Sequence, residues 1–164
     1  MRAETAIGTL LLVSEGDALT RITWIAPGAT ALPNEAPTPF LREAARQLAA
    51  YAVGGLQAFD LPVKAEGSPH EQAVWRQMRL IPYGKTKTYG ELADAISSSP
   101  RAVGRACGAN PVPIVVPCHR VMGQSGKLTG FSGGEGVATK ALLLDLERRH
   151  NSRQLDELPL FAGK

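Results

Sequence analysis

Cysteine is scarce in this chain, two residues in 164, which argues against a disulfide-stapled scaffold and fits a reducing compartment. Long apolar runs are missing as well. No stretch approaches the roughly 18 consecutive apolar residues that cross a bilayer, and the amino terminus lacks the basic-then-apolar order of a secretory signal. The expectation is a soluble, cytoplasmic protein with no membrane partner. No internal repeat or long low-complexity tract is visible, and 44% apolar content is enough to bury a core for one domain or two small ones.

The net charge of +3 is unevenly spread. Residues 1–66 carry 5 basic and 7 acidic side chains, residues 67–150 carry 11 and 6, and residues 151–164 carry 2 and 2. Lys and Arg supply most of the sequence-independent affinity for a phosphate backbone, so the basic excess favours a nucleic-acid partner for the middle segment. A solvated basic face without a partner is the alternative on charge alone.

Residues 8–13 and 19–24 are rich in Leu, Ile, Val and Thr around Glu15-Gly16-Asp17, which reads as a hairpin. After a Pro- and Ala-rich loop over 26–38, Thr38 caps a helix with Pro39 at its first position. Leu41, Ala45, Leu48 and Ala52 line one face of it before Gly54-Gly55 stops it. Phe59, Leu61 and Val63 alternate, as in a strand. At Ser68 the pattern changes to helices, which places a domain boundary near Glu66-Gly67.

Ser68-Pro69-His70-Glu71 is a capping box, and Val74, Trp75, Met78 and Ile81 lie on the inner side of the helix it opens, which Pro82 ends. Residues 89–96 and 100–107 read as two short helices about the turn Ser97-Ser98-Ser99, the second capped by Ser99 and closed by Gly108. This is the spacing of a helix-turn-helix, or of an ordinary helical hairpin. Between its arginines the second helix carries small side chains: Arg101-Ala102-Val103-Gly104-Arg105-Ala106-Cys107-Gly108-Ala109. A helix so thin can approach a minor groove about 6 Å wide once the groove opens. Tight helix-helix packing is the alternative reading of the same composition.

The most chemically loaded stretch is Ile114-Val115-Val116-Pro117-Cys118-His119-Arg120-Val121. The β-branched run reads as a short buried strand that ends on a thiol, an imidazole and a guanidinium. Cys118 is the candidate nucleophile, since an imidazole or cation nearby is what makes a thiol reactive. Consecutive strand side chains point to opposite faces, so Cys118 and His119 should communicate through a water. A carboxylate should orient the imidazole. In a helix over 139–149, Glu147 shares a face with Leu143 and Leu146, and its expected place in the last turn, where the helix dipole disfavours a negative charge, calls for a compensating partner.

The run from Arg101-Ala102-Val103-Gly104 through Asn110-Pro111-Val112-Pro113 to Pro117-Cys118-His119-Arg120-Val121 closely resembles the active-site signature of the O6-alkylguanine-DNA alkyltransferases, the methylated-DNA–protein-cysteine methyltransferase family. The resemblance extends from Leu61 to about Glu147 and more loosely over 8–59. It implies two domains and a tail. Residues 1–66 would form an α/β domain with a ribonuclease-H-like antiparallel sheet. Residues 67–150 would form a mainly α catalytic domain with a helix-turn-helix, and residues 151–164 the tail.

The resemblance further implies a monomer without cofactor that takes an alkyl group from O6-alkylguanine in double-stranded DNA onto Cys118, once and irreversibly, after turning the base out of the stack. O4-alkylthymine would be a secondary substrate. Cys118, His119, Glu147, Tyr89 and Asn110 would do the chemistry. Arg101, Ala102, Gly104, Arg105 and Arg120 would meet DNA, Arg101 filling the place of the extruded base. Tyr89, Cys118, Val121, Phe131, Ser132 and Gly133 would enclose the base. Tyr89 would donate to its ring, the Ser132 amide would bind O6, and the Cys118 and Val121 carbonyls would accept from the exocyclic amine.

The chain departs from the family pattern in having Phe131 where many members carry tyrosine, and about two extra residues between Gly134 and Lys140. With no cysteine in residues 1–66, no zinc is expected there. Two other uses of the same residues stand beside this reading. One is a metal site of Cys107, Cys118, His119 and His150, although structural zinc sites favour closer ligand pairs. The other is a DNA-binding regulator or damage sensor that needs only the helix pair. Finally, Glu157-Leu158-Pro159-Leu160-Phe161 resembles a short sliding-clamp docking motif, with Glu157 replacing the usual glutamine; the same residues would also pack on their own domain.

Overall fold

The computed structural model describes residues 1–29 and 36–157, the last six of these by backbone alone. Strands β1 (Arg2–Thr5), β2 (Gly8–Glu15) and β3 (Ala18–Trp24) form an antiparallel sheet in that order. Alternation puts Ala3, Leu10, Leu12, Leu19 and Ile22 on the buried face. Helix α1 (Pro39–Ala52) lies on that face through Leu41, Ala44, Leu48 and Tyr51. Thr38 caps it by accepting from the Leu41 amide at 3.1 Å. Gly54, just beyond its end, has φ +77°, and a Cβ there would fall 2.0 Å from the His150 ring. Only glycine lets the last helix pass so close.

The expected strand over 59–63 is reduced to a bridge between Leu19 and Val63. Only the Leu19 and Lys64 amides bond across it, to Pro62 and Leu19 carbonyls. Proline at position 62 has no amide to give a ladder, which is why the alternating pattern stays a single contact. Further along β3, the Ile22 amide donates to the Pro111 carbonyl at 2.9 Å, tying the sheet to the segment that carries Cys118. Strand β1 had no sequence signal, being four residues long with charged outward positions.

Helices α2 (Pro69–Arg79), α3 (Tyr89–Ala95) and α4 (Pro100–Gly108) form the second cluster. Ser68 with Glu71 and Thr88 with Glu91 form complete capping boxes, and Ser99 caps α4. The Trp75 indole N–H donates to the Ala106 carbonyl at 2.8 Å and holds α2 to α4. Strands β4 (Lys87–Thr88) and β5 (Val121–Met122) pair in parallel, two residues each, and bring the start of α3 beside the residues after Cys118. The last helix, α5 (Val137–Glu157), is longer than the expected 139–149. No helix among the described residues is long and apolar enough to cross a membrane.

Helix α4 buries Val103, Ala106 and Cys107, while Arg101, Arg105 and Gly108 are exposed. A Cβ built on Gly104 meets nothing within 4 Å, so intramolecular packing does not require glycine there. Gly104→Ala should therefore raise stability by about 0.5–1 kcal/mol, the usual cost of glycine in a helix interior. A denaturant midpoint that falls on this change would show that the space is not free.

Candidate active site

Cys118 lies in a single turn of 3-10 helix, Cys118–Arg120, and not at the end of a strand. Residues 114–116 turn sharply: Ile114 has φ +75° and Pro113 bridges to Val116. A β-branched residue in the left-handed region is strained by about 1–3 kcal/mol and must be held there. Asn110 does the holding. Its Nδ2 donates to the Val116 carbonyl at 2.8 Å and its Oδ1 accepts from the Val112 amide at 3.0 Å, spanning the turn.

His119 and Glu147 meet as expected, but the group is larger than a pair. Glu147 and His119 are fully buried, and His119 Nε2 donates to Glu147 Oε1 at 2.7 Å. Arg120 donates to the same carboxylate through Nε and Nη2, at 3.0 and 2.8 Å, and through Nη1 to the Ile81 carbonyl at 2.7 Å. The Tyr51 hydroxyl, from α1, donates to Glu147 Oε1 at 2.8 Å, and the Gly84 amide to Oε2 at 3.0 Å. Two sequence expectations change here. Arg120 is 7% exposed and committed to Glu147, so it does not stand among DNA-facing residues. Glu147 is not in a last turn, because α5 runs on to Glu157; burial, not the helix dipole, is what demands its partners.

Burial works to raise the Glu147 pKa, but the His119 and Arg120 donors outweigh it and hold the carboxyl at about 2. Burial pushes the His119 imidazole down, against the pull of Glu147, so it is neutral. With Nε2 donating, the lone pair is on Nδ1, a buried atom without a protein partner. Burial also raises the Cys118 thiol, opposed by the Asn110 side chain, by Lys140 and by the Cys118 and His119 amides.

Lys140 is wholly buried, with its ammonium donating to the Val121 and Thr129 carbonyls and 5.7 Å from the Tyr89 ring. The Tyr89 hydroxyl also donates to Thr129, at 3.1 Å. Phe131 is half-buried and Ser132 exposed, on the loop that Thr129 begins. The Cys118 carbonyl holds the Val121 amide and the Val121 carbonyl holds Lys140, which leaves each one lone pair. Arg101, Ala102, Gly104 and Arg105 lie along α4. Among the described residues no cluster of His, Cys, Asp or Glu could hold a metal. Cys107 instead donates to the Met78 sulfur at 3.5 Å, and His150 Nδ1 is 2.8 Å from the Leu146 carbonyl.

Tyr51 and Lys140 are the residues that sequence reasoning missed as functional. Lys140 falls seven positions before Glu147, on the same helix face, and that spacing was the available signal. Tyr51 follows Ala44 and Leu48 on an apolar face and carries no signal that separates it from core.

Because Glu147 is held below its ordinary value of 4.5, its contribution to stability is complete above that pH and is lost as pH falls toward 2. His119 acts in the same direction from about pH 6.5 downward, since the unfolded chain takes up a proton that the buried ring refuses. Tyr51→Phe removes one donor to the carboxylate. It should cost about 1.5–3 kcal/mol at neutral pH and move the acid-unfolding midpoint upward. Coincident acid transitions for variant and parent, followed by circular dichroism, would contradict the role given to Tyr51.

The chain is similar to known proteins along most of its length. Residues 69–149 match the family model described as 6-O-methylguanine DNA methyltransferase, DNA binding domain. A methylated-DNA–protein-cysteine methyltransferase of Mycolicibacterium paratuberculosis is 44% identical over 93% of this chain and 93% of its own length. The constitutive one of Bacillus subtilis is 40% identical over 89% and 93%. Among solved structures, Mycobacterium tuberculosis OGT in complex with DNA is similar with a TM-score of 0.79 and 41% identity, covering 91% of this chain and 92% of that one.

Proposed function

The chain belongs to the methylated-DNA–protein-cysteine methyltransferases, and from that membership we propose that it repairs O6-alkylguanine in duplex DNA by moving the alkyl group once, irreversibly, onto Cys118. The observation that carries the assignment to these residues is the unpartnered, buried Nδ1 of His119, the residue after Cys118, on a ring whose Nε2 is held by Glu147. A water between Cys118 and Nδ1 takes the thiol proton to the imidazole. The thiolate then attacks the alkyl carbon in line, a C–S bond forms as the C–O bond breaks, and the guanine leaves with the electron pair. The Tyr89 hydroxyl, turning from the Thr129 carbonyl, donates toward the ring as charge builds there. The thioether is too stable to reverse, so each molecule acts once. The displacement itself requires no cofactor.

The target carbon is inaccessible inside a duplex, so the base is turned out into a pocket formed by Tyr89, Cys118, Val121, Phe131, Ser132 and Gly133. Helices α3 and α4 act as a helix-turn-helix that enters the minor groove. Arg101 fills the vacated stack, and Ala102, Gly104 and Arg105 line the approach. The open space at Gly104 supports this, since a helix position left bare without an internal reason has room for an external partner. Arg120 has a different role, as the counter-ion that lets Glu147 stay ionised.

The amino-terminal residues 1–66 are read as a ribonuclease-H-like domain, residues 67–150 as the catalytic one and 151–164 as a tail. The protein works as a cytoplasmic monomer, with O4-alkylthymine a lesser substrate. The docking motif at 157–161 lies, but for the Glu157 backbone, outside the described residues.

Incubation with excess duplex containing one O6-methylguanine should add one methyl group per protein, found on Cys118 by peptide mass spectrometry. Tight binding without that gain would make this a damage-recognition protein. Arg101→Ala should slow repair of the duplex far more than reaction with free O6-benzylguanine, and equal losses would remove the extrusion role. Gly104→Ala should likewise slow duplex repair while the fold gains stability.

A further inference from the structure

The loop over 129–136 is tied down at three places. At its start, the Thr129 carbonyl accepts from Tyr89 and Lys140. At its end, the Glu135 amide donates to Thr139 Oγ1 at 2.8 Å, at the beginning of α5. Between these ties Gly130 and Gly134 have positive φ, so the intervening backbone has little stiffness of its own. The middle tie comes from the amino-terminal sheet. Trp24, the last residue of β3, meets Phe131 edge-on, with ring centroids 6.0 Å apart and planes at 75°. Its indole N–H donates to the Ile7 carbonyl at 3.0 Å, which fixes the ring on the sheet. The fit against the loop is close: a Cβ on Gly133 would lie 2.6 Å from the Trp24 ring.

We propose that Trp24 is a positioning residue that sets how far the Phe131–Gly133 loop stands over Cys118, and thereby how large an O6-alkyl group the site accepts. This rests on the reading of that loop as the wall of the base pocket. Trp24 acts through Phe131 and Gly133 and touches no substrate itself. The sheet side of the contact is rigid and the loop side is glycine-rich, so the indole determines where the loop stops. Phenylalanine at 131 has no hydroxyl to bond elsewhere, which leaves ring packing as the force that seats it. Removing the indole lets the loop retreat. The small methyl group then loses its close fit, and a bulky benzyl group gains room.

The test is single-turnover transfer by the full chain from duplexes carrying either O6-methylguanine or O6-benzylguanine. Trp24→Ala should slow methyl transfer by about two- to tenfold, the range open to loss of one aromatic pair, and slow benzyl transfer less, so that the benzyl-to-methyl ratio rises. Trp24→Phe should restore the parental ratio by keeping a ring edge on Phe131. An unchanged ratio in Trp24→Ala, with or without lower stability, overturns the proposal, because a merely structural residue would slow both substrates alike.

Should Trp24→Ala not fold, the same question is put by fluorescence. The emission that separates Cys118→Ser from Cys118→Ser/Trp24→Phe should change on adding the O6-methylguanine duplex and not the unmodified one; no difference overturns the proposal. The parent in the same assay keeps the two readings apart. If it fails to alkylate Cys118, the assigned activity is wrong; if it succeeds and the ratio stays fixed, only Trp24 is.

Discussion

A single buried carboxylate organises this molecule. Glu147 receives donors from α1 through Tyr51, from the turn after α2 through Gly84, and from the 3-10 turn through His119 and Arg120. An ionised carboxylate in the interior is tolerable only when its lone pairs are filled and its charge is met. Each of those elements is therefore held in place partly by the same requirement. Arg120 balances the charge, and that balance has a chemical consequence. A protonated His119 would leave the buried cluster with a surplus positive charge, so the ring is neutral, and its proton sits on Nε2 facing Glu147. The basic nitrogen is then Nδ1, and the group is set to take a proton and not to give one.

The electrostatics around Cys118 suit the role proposed for it. Burial keeps the thiol protonated at rest, while Asn110, Lys140 and two amides stand ready to stabilise the thiolate. A resting thiolate would be more open to oxidation than a protonated thiol. Lys140 contributes a fixed positive charge that costs burial to maintain. Two carbonyls and the face of Tyr89 hold it between Val121 and the loop that Thr129 begins. The same contacts connect α5 to β5 and to the loop, so the charge and the loop's position are set together.

Local rules made much of the fold legible. Thr38, Ser68 and Ser99 cap the helices the sequence assigned to them, and the hairpin follows its apolar alternation, because caps and periodicity depend on neighbours a few residues away. What could not be read depends on distant partners. Residues 114–116 have strand propensity but are bent by Asn110 and by the packing around Ile114, so tertiary contacts override the local preference. Arg120 is expected to meet DNA only through the family resemblance, and it is the carboxylate that α5 brings which turns it inward. Tyr51 is indistinguishable in sequence from a core aromatic. Its hydroxyl acquires meaning only from a carboxylate nearly a hundred positions later.

Two places where the chain accepts a local penalty mark the same boundary between fold and function. Ile114 sits in the left-handed region although it is β-branched, and the strain is contained by the two Asn110 hydrogen bonds that span it. Relaxing that turn to an extended strand would displace the 3-10 turn that carries Cys118, His119 and Arg120, so the strain is tied to where that turn sits. Gly104 weakens the middle of α4 with no internal contact to justify it. Stability alone would favour alanine there, since a methyl group fits the free protein. The DNA contact proposed for α4 would supply a reason for glycine, since the exposed arginines on either side of Gly104 suit a phosphate backbone drawn close to that helix.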